Sequence, residues 1–563
     1  MMAPAPKALG ILVQAVALLS LALTPCAACG LGDGFDVREA TIGSVHEALF
    51  RGRTTCREIV SAFLARVEAF NPTINAVISL NPDALSAADR LDEALAAGDA
   101  TGALFCVPVL LKDSYDAVGM STTGGCRGLA ENKPLVDAPT VRALKDAGAV
   151  ILGKANMHEM ALEGLSVSSL GGQTVNPYDL TRTPGGSSGG SGAALAANMA
   201  VLVTGTDTVN SLRSPASANS LFSFRPTRGL ISRAGVIPVS FTQDAVGAMA
   251  RTPRDLAVAM TVMASVGFDP RDNVTALAPP EVRDKDYYYS TVHGDGRSLK
   301  GVRLGLINGF FNHTPSDETT PVNDVMAAMV SKLTAAGAEI VNITDPIFDA
   351  LAIAKLDVQA FEYREQLDEY LASSSNAPSH PTTFHELYNN GDNFLVIPAQ
   401  HPFLNRATHS STHSAAYTAT LHRIHSLTSS LRATFTTNNN LDALIYPEQK
   451  NLVVKLGSPS QSGRNGILAA LTGSPVVCIP AGFSPPSADA PVGVPIGMEI
   501  LGLPWSEDRL LNIASRINEL GQVRSMPPFA EGVVEPKCYG KVPRVKPDVA
   551  GIPAAYPIGM LGG

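Results

Sequence analysis

The run from residue 183 to residue 213 constrains the fold of this chain more than any other segment. It reads TPGGSSGGSGAALAANMAVLVTGTDTVNSLR, so a glycine- and serine-rich loop is followed by small residues, an apolar run and a second polar turn. Glycine lets the backbone of such a loop approach another chain or a ligand closely. The small residues at 193–199 predict a closely packed helix, and the apolar run at 200–204 predicts a buried strand. Polar groups at the end of such a strand are often catalytic in α/β enzymes.

The turn after this predicted strand ends in Ser211, and we expect the run as a whole to carry a serine nucleophile. A serine hydroxyl needs a group that takes its proton, and no histidine lies between His158 and His293. A lysine kept neutral by burial can replace histidine in this role. Lys112 follows the apolar run at 107–111, which predicts a buried strand ending in one charged group. Lys154 follows a second predicted strand at 150–153 and is a competing base.

Local patterns predict further elements on both sides of this segment. Thr55 and Glu58 are spaced as a capping box before an amphipathic helix at 54–71, and a second helix is expected at 83–97. Residues 302–306 and 339–341 read as strands, with a helix at 322–336 between them. Residues 352–371 read as helical within a polar region that resembles an insertion.

Seven separated segments resemble the amidase signature family, in the same order along the chain. They are PVLLKD at 108–113, GGSSGG at 185–190, GTDTVNSLRSPAS at 205–217, RPTRGLISRAGVIP at 225–238, LDALIYP at 441–447, GSPVVCIPAGF at 473–483 and VPIGMEILGLPWSEDRLLNIA at 494–514. The resemblance spans residues 36–520, with a divergent stretch at 270–440. It implies an α/β fold in one large domain, with a central mixed and twisted β-sheet covered by helices.

The resemblance also implies a Ser-Ser-Lys triad that hydrolyses carboxylic amides through an acyl-enzyme, without metal or cofactor. Ser211 would be the nucleophile, Lys112 the base, and Ser187 the bridge between them, preceded by a cis peptide bond. The expected supporting residues flank the two serines. They are Gly185, Gly186, Ser188, Asp207 and Arg213, of which Asp207 and Arg213 are expected to pair.

The oxyanion is expected to bind the backbone N–H groups of Thr208, Val209, Asn210 and Ser211. The family usually has two glycines immediately before the nucleophile, where this chain has Val209 and Asn210. A β-branched valine tolerates positive φ poorly. One alternative is therefore a catalytically impaired member of the same fold that binds amides or peptides.

The sequence GGSSG at 185–189 also fits the nucleophile elbow of α/β-hydrolases. In such a serine esterase, Ser187 or Ser188 would be the nucleophile. The elbow requires a preceding strand, whereas residues 173–184 contain two prolines and read as a loop. Some members of the amidase signature family are components of glutamine-dependent amidotransferases, although an exported chain would lack the tRNA context.

The first thirty residues predict a secretory signal peptide. Lys7 precedes an apolar segment at 8–23, which is shorter than a membrane-spanning helix and is followed by small residues. We expect a secreted protein without a stable membrane span after cleavage. Asn273, Asn312 and Asn342 lie in glycosylation sequons. The five cysteines after the leader allow two disulfides at most.

We expect three regions: a signal peptide at 1–30, an amidase domain at 31–536 and a Pro/Gly-rich tail at 537–563. The divergent residues 270–440 are expected to select the substrate, a small-molecule or peptide amide. The net charge of −9 argues against nucleic acid as a partner. His409 and His413 are four residues apart, but no acidic residue lies between them as in a zinc motif, so we expect no metal site. The oligomeric state stays open.

Overall fold

Strands and helices alternate along most of the chain and form an α/β structure in which helices flank a β-sheet. A computed structural model describes residues 35–99, 101–283, 287–292, 298–373, 380–389, 394–395 and 397–556, so the predicted signal peptide lies outside the described residues. The strands are β1 Val77–Leu80, β2 Pro108–Lys112, β3 Val150–Ala155, β4 Val167–Ser168, β5 Gly172–Gln173, β6 Leu202–Asp207, β7 Phe222–Arg225, β8 Ala245–Ala250, β9 Arg303–Ile307, β10 Glu339–Ile343, β11 Ala443–Pro447, β12 Val476–Phe483 and β13 Pro495–Leu501.

The helices are α1 Ile42–Phe50, α2 Cys56–Ile74, α3 Ala84–Ala97, α4 Pro139–Asp146, α5 Gly189–Ala196, α6 Arg213–Ala218, α7 Pro253–Ala264, α8 Tyr287–Thr291, α9 Thr320–Ala335, α10 Ala350–Ala354, α11 Gln359–Leu371, α12 Phe384–Tyr388, α13 His401–His409, α14 Ala415–Thr437, α15 Ile467–Thr472 and α16 Glu507–Glu519. The predicted capping box opens α2, because Thr55 accepts from the backbone of Glu58 and Glu58 accepts from the backbone of Thr55.

Eleven of the described strands form one mixed sheet in the order β1-β3-β2-β6-β8-β7-β12-β13-β11-β9-β10. The pairs β2–β3, β2–β6, β9–β10 and β9–β11 are parallel, and the other neighbours are antiparallel. Helices flank this sheet, and the largest hydrophobic cluster joins side chains from α2, β2, β6, α7 and α16. The predicted single-domain α/β fold with a central mixed sheet is confirmed.

The sheet places the predicted catalytic elements next to one another. β2 lies between β3 and β6, and all five of its residues are buried. β6 is also fully buried, and the turn that follows it ends at Ser211. Because β2 and β6 are parallel, their carboxyl ends meet at one edge of the sheet, where Lys112 and this turn lie.

Features outside the sheet bear on the predicted processing of the chain. Cys56 and Cys106 form a disulfide with their Cα atoms 5.6 Å apart. Asn273 and Asn342 are exposed and Asn312 is partly buried. Within the described ranges, no helix is both long and apolar enough to cross a bilayer.

The tail packs against the domain as far as it is described. Lys537 forms an ion pair of 2.7 Å with Glu68 of α2, and Tyr556 is only 2% exposed. In the histidine-containing region, His409 is the last residue of α13, whereas His413 lies in the connection to α14. These two histidines therefore do not share a helical face.

Candidate active site

Lys112 lies at the carboxyl end of β2, where its side chain is completely buried. Its Nζ donates hydrogen bonds to Ser187 Oγ at 2.8 Å and to Thr206 Oγ1 at 2.7 Å. Its backbone N–H donates to Thr204 Oγ1 on the neighbouring strand β6 at 3.0 Å. Two threonines on one face of β6 therefore fix the backbone and the amine of the predicted base.

Burial lowers the pKa of Lys112 from its ordinary value of 10.5 to about 7, although Asp207 and Asp244 act in the opposite direction. Removing an ammonium group from water disfavours the charged form, so the neutral amine is well populated near neutral pH. The adjacent carboxylate of Asp113 interacts instead with Lys154, 3.6 Å away. The site thus provides a lysine that can accept a proton.

The glycine-rich loop that carries Ser187 is held by the side chain of Ser166, which lies in a neighbouring segment. The Gly186–Ser187 peptide bond is cis, as the resemblance implies. Ser166 Oγ donates to the Gly185 carbonyl at 2.7 Å and accepts from Gly189 N–H at 3.1 Å. A Cβ on Gly186 would lie 2.7 Å from the same oxygen, which leaves no room for a side chain there. Ser166 is therefore a supporting residue that the sequence analysis missed.

Ser211 ends the turn after β6 and is 6% exposed. Its hydroxyl has no hydrogen-bond partner among the described residues, and the backbone N–H groups at 208–211 donate to no other group there. Four N–H groups are thus available in the predicted oxyanion segment. Neither Val209 nor Asn210 has positive φ, so the turn avoids the backbone conformation that would have required glycine.

The three predicted triad residues are not all in hydrogen-bond contact. The bond between Lys112 and Ser187 is present, whereas no hydrogen bond joins Ser187 to Ser211 in the described part of the chain. The loop of Ser187 nevertheless packs beside the nucleophile, since Gly186 N–H donates to Ser214 Oγ in the first turn of α6 at 3.4 Å. The predicted base and the predicted bridging serine therefore lie next to the turn that carries Ser211.

A buried ionic cluster contacts the turn at residues 208–211 and stabilises it. Asp207 pairs with Arg213 at 3.0 Å and with Arg225 at 2.7 Å, and Arg213 pairs with Glu499 at 2.7 Å, all with fully buried side chains. Although burial alone would raise the pKa of Asp207, the two arginines hold it well below its usual value. Arg213 also donates to the Val209 carbonyl. The predicted pairing of Asp207 with Arg213 is confirmed, and its role is to fix the turn.

Gln243 connects the turn to the divergent region. Its Nε2 donates to the Thr208 carbonyl at 3.3 Å, and its Oε1 accepts from Val358 N–H at 3.0 Å. The Gln400 amide, also in the divergent region, lies 3.1 Å from His158 Nε2. Residues predicted to select the substrate thus reach the edge of the site.

The competing base has a structural role. Lys154 donates to the carbonyls of Tyr115 and Ser121 at 2.7 and 3.0 Å and to Thr122 Oγ1 at 3.1 Å. Burial lowers the pKa of Lys154, while Asp113 and these acceptors favour its charged form. Lys154 is therefore bound to fixed partners and does not contact either predicted catalytic serine.

The nucleophile-elbow alternative lacks the required local structure. Residues 174–187 contain isolated bridges but no strand that leads into the loop. Ser188 is completely buried, and its Oγ lies 3.4 Å from the Thr206 carbonyl. Because an elbow presents its serine at the end of a strand, this geometry argues against Ser187 or Ser188 as an esterase nucleophile.

Comparisons with known proteins extend over most of the chain. The family model described as Amidase matches residues 58–511. A glutamyl-tRNA(Gln) amidotransferase subunit of Alkalilimnicola ehrlichii is 34% identical over 504 residues, which cover 86% of this chain and 98% of that protein. A probable amidase of Arabidopsis thaliana is 32% identical over 517 residues, covering 89% of this chain and 93% of that protein.

Solved structures show the same architecture. The native peptide amidase of Stenotrophomonas maltophilia has a TM-score of 0.75 at 30% identity, over 88% of this chain and 100% of that chain. An amidase family protein of Bacillus anthracis has a TM-score of 0.73 at 25% identity, over 87% of this chain and 92% of that chain. The likeness therefore extends over most of the described fold.

Proposed function

The chain belongs to the amidase signature family and hydrolyses carboxylic C–N amide bonds, and on this basis we propose that Ser211, Ser187 and Lys112 form its catalytic triad. The observation that carries the proposal is the 2.8 Å hydrogen bond between Lys112 Nζ and Ser187 Oγ, two fully buried groups. A serine next to a neutral amine can pass a proton on to it, which is what the nucleophile requires.

In the proposed reaction, Ser211 Oγ attacks the amide carbon and forms a C–O bond. Its proton passes to Ser187 while the Ser187 proton passes to Lys112 Nζ. The C–N bond then breaks, and the leaving amine takes the proton back through the same relay. Water hydrolyses the acyl-enzyme by the same route, which releases the carboxylic acid and restores Ser211.

The tetrahedral intermediate carries negative charge on the former carbonyl oxygen. The N–H groups at 208–211, which have no other acceptor among the described residues, are the proposed donors to that oxygen. Because Arg213 and Asp207 fix this turn, the donors need little rearrangement when charge develops. Removing one such donor typically costs a factor of about 10²–10³ in kcat.

We propose linear carboxylic amides, including peptide amides, as the substrate class. The support is the likeness to a peptide amidase of solved structure and the contact of the divergent region with the turn through Gln243. The divergent residues 270–440 would then select the acyl group. Glutamine belongs in the substrate panel as well, because several relatives are components of amidotransferases.

A serine-directed fluorophosphonate probe and a panel of primary and secondary amides test the triad. We expect the wild-type protein to be labelled and to hydrolyse at least one amide. Ser211→Ala should abolish both labelling and hydrolysis, whereas Ser188→Ala should keep labelling at Ser211. Wild-type protein that is neither labelled nor active would support the amide-binding alternative, and labelling that persists in Ser211→Ala would support an esterase-type nucleophile.

We also propose that the mature protein is exported. The basis is the leader at 1–30, supported by the disulfide between Cys56 and Cys106, since disulfides persist mainly in oxidising compartments. Expression in a secreting host, followed by N-terminal sequencing of the protein from the medium, provides the test. We expect cleavage after Ala28 or Gly30, and an intact leader on cell-retained protein would contradict export.

A further inference from the structure

Asn210, the residue before the proposed nucleophile, forms a buried pair with Glu448. Asn210 Nδ2 donates to Glu448 Oε1 at 2.6 Å, and each residue is 1% exposed. In the described part of the chain, Asn210 Oδ1 and Glu448 Oε2 have no hydrogen-bond partner. Buried oxygens without a donor are costly, and two acceptors can satisfy each other only if one of them carries a proton.

The charges around Glu448 are balanced without it. Arg213 and Arg225 neutralise Asp207 and Glu499 within the buried cluster. Glu499 receives two hydrogen bonds from Arg213, whereas Glu448 receives one from an uncharged amide. Although burial raises the pKa of Glu499 as well, its bonds from Arg213 favour a negative charge on Glu499 over one on Glu448.

Burial, together with the nearby Glu499, raises the pKa of Glu448 to about 8, and Arg213 opposes this shift only in part. Burial also raises the pKa of Tyr446 and Cys478 well above their usual values, so both stay uncharged over the range in which Glu448 titrates. The titratable and charged groups that face Glu448 come from five elements: Asp207 of β6, Arg213 of α6, Tyr446 of β11, Cys478 of β12 and Glu499 of β13.

Backbone contacts hold both partners in place. The Glu448 N–H donates to the Gly497 carbonyl at 3.1 Å, and its carbonyl accepts from Asn465 N–H at 3.1 Å. On the other side, a Cβ on Gly466 would lie 2.5 Å from Asn210 Cβ. The asparagine thus packs directly against backbone, and neither side chain has much freedom to find another partner.

We propose that Glu448 is a positioning residue whose protonated carboxyl group donates from Oε2 to Asn210 Oδ1 and closes a cyclic acid–amide pair. The pair holds the peptide of Asn210, which contributes an oxyanion N–H, so this inference rests on the function proposed above. Protonation satisfies both orphaned oxygens. Ionisation places two unprotonated oxygens face to face and adds negative charge beside the developing oxyanion, so amide hydrolysis slows as Glu448 loses its proton.

The variant Glu448→Gln keeps the hydrogen-bonded pair with Asn210 but removes the group that titrates. Glutamine has the same shape, and its amide can donate to Asn210 Oδ1 and accept from Nδ2 at any pH. In the wild-type enzyme we expect kcat to fall by about tenfold per pH unit above the ionisation of Glu448. Glu448→Gln should keep its kcat over that range, and Glu448→Ala should lower kcat at all pH values with little change in KM.

Glu507→Gln is a matched control. Glu507 is also fully buried, its Oε1 accepts from Thr227 N–H at 2.8 Å, and its Oε2 has no partner among the described residues. It has no hydrogen bond to the nucleophile turn, so Glu507→Gln should retain the alkaline decline of the wild-type enzyme. An alkaline decline that persists unchanged in Glu448→Gln would overturn the proposal.

Infrared difference spectra between neutral and alkaline pH test the proton without reference to activity. The carboxylic C=O component of Glu448 that is lost on alkalinisation should be present in the wild-type protein and in Glu507→Gln. It should be missing from Glu448→Gln, where only the changes of other buried acids such as Glu159 remain. No difference between wild type and Glu448→Gln would show that Glu448 keeps one protonation state between the two pH values and would refute its pH-dependent role. If Ser211→Ala kept amide hydrolysis, the triad would fail, while the infrared result would still decide the protonation of Glu448.

Discussion

Replacing Lys112 with methionine should make the protein more stable and nearly inactive. Lys112 is 0% exposed, and burial lowers its pKa from 10.5 to about 7, so at neutral pH about half of the molecules must release the lysine proton on folding, and the charged form is destabilised in the rest. At about 1.4 kcal/mol per pH unit, this requirement costs about 4–5 kcal/mol at pH 7. Methionine has a similar length and carries no such cost.

The substitution also removes two hydrogen bonds, from Nζ to Ser187 and to Thr206. Each is worth about 1 kcal/mol net, so Lys112→Met should gain roughly 2–3 kcal/mol at pH 7. The unfolded state binds more protons than the folded state between pH 7 and 10.5, so wild-type stability rises with pH through that window. At about pH 10 the cost of Lys112 falls to about 1 kcal/mol, and the advantage of the variant should disappear.

Urea denaturation of both proteins at several pH values measures this difference, and turnover of an amide substrate measures the loss of the base. We expect kcat to fall by about 10³-fold or more, because triad members act as a unit. The reasoning is refuted if the stability difference does not depend on pH, or if the variant keeps a substantial part of its kcat. Lys154→Met is the control with the opposite sign: it leaves Asp113 buried without its cation and should lose about 3–5 kcal/mol.

Three further substitutions test how the site is held. Ser166→Ala removes the bonds to Gly185 and Gly189; we expect a loss of about 1–2 kcal/mol in thermal denaturation and a larger proportional loss of kcat than of substrate affinity. Arg213→Met leaves Asp207 and Glu499 without a shared partner and should lower the unfolding free energy by about 3–5 kcal/mol in urea titrations. Gly466→Ala would force its Cβ against the turn, so steady-state kinetics should show a reduced kcat while circular dichroism shows an intact fold.

Local signals in the sequence were sufficient for much of the fold. The capping box at Thr55 and Glu58 predicted a helix from residue 54, and α2 begins two residues later at Cys56. This signal is local, because both side chains bond backbone groups of their own segment. The apolar run before Lys112 correctly predicted β2. The contact of Lys112 with Ser187 was available only through the family resemblance, since seventy-five positions separate the two residues.

The helix-like runs predicted at 352–371 correspond to two helices, α10 and α11, and the sequence analysis did not place the break between them. Asp357 lies at the break, where its carboxylate accepts from the backbone N–H of Gln359 at 2.8 Å and from the Gln359 side chain at 2.6 Å. Aspartate that binds the nearby backbone in this way competes with helix formation. Helical periodicity alone does not reveal such local competition.

The partners of the nucleophile turn could not be found from the sequence. Glu448 follows a segment that resembles the family, but its contact with Asn210 spans 238 positions and depends on the order of strands in the sheet. Thr206 belongs to the conspicuous run GTDT, yet only the parallel pairing of β6 with β2 shows that its hydroxyl meets Lys112. Interactions of this kind are set by tertiary packing, which local patterns do not encode.

Burial acts in opposite directions on Lys112 and Glu448, two of the titratable groups beside the nucleophile turn, and both effects favour the same reactive state. It lowers the pKa of Lys112 to about 7, which frees the amine, and it raises the pKa of Glu448 to about 8, which retains the acid proton. The reactive form in these two proposals has the neutral amine and the protonated acid, and its population is largest between these two pKa values. The rising limb of the pH–rate profile should then survive in Glu448→Gln while the falling limb disappears. A profile in which both limbs moved together would show that the two groups titrate as one coupled unit, and Glu448 could no longer be assigned the falling limb alone.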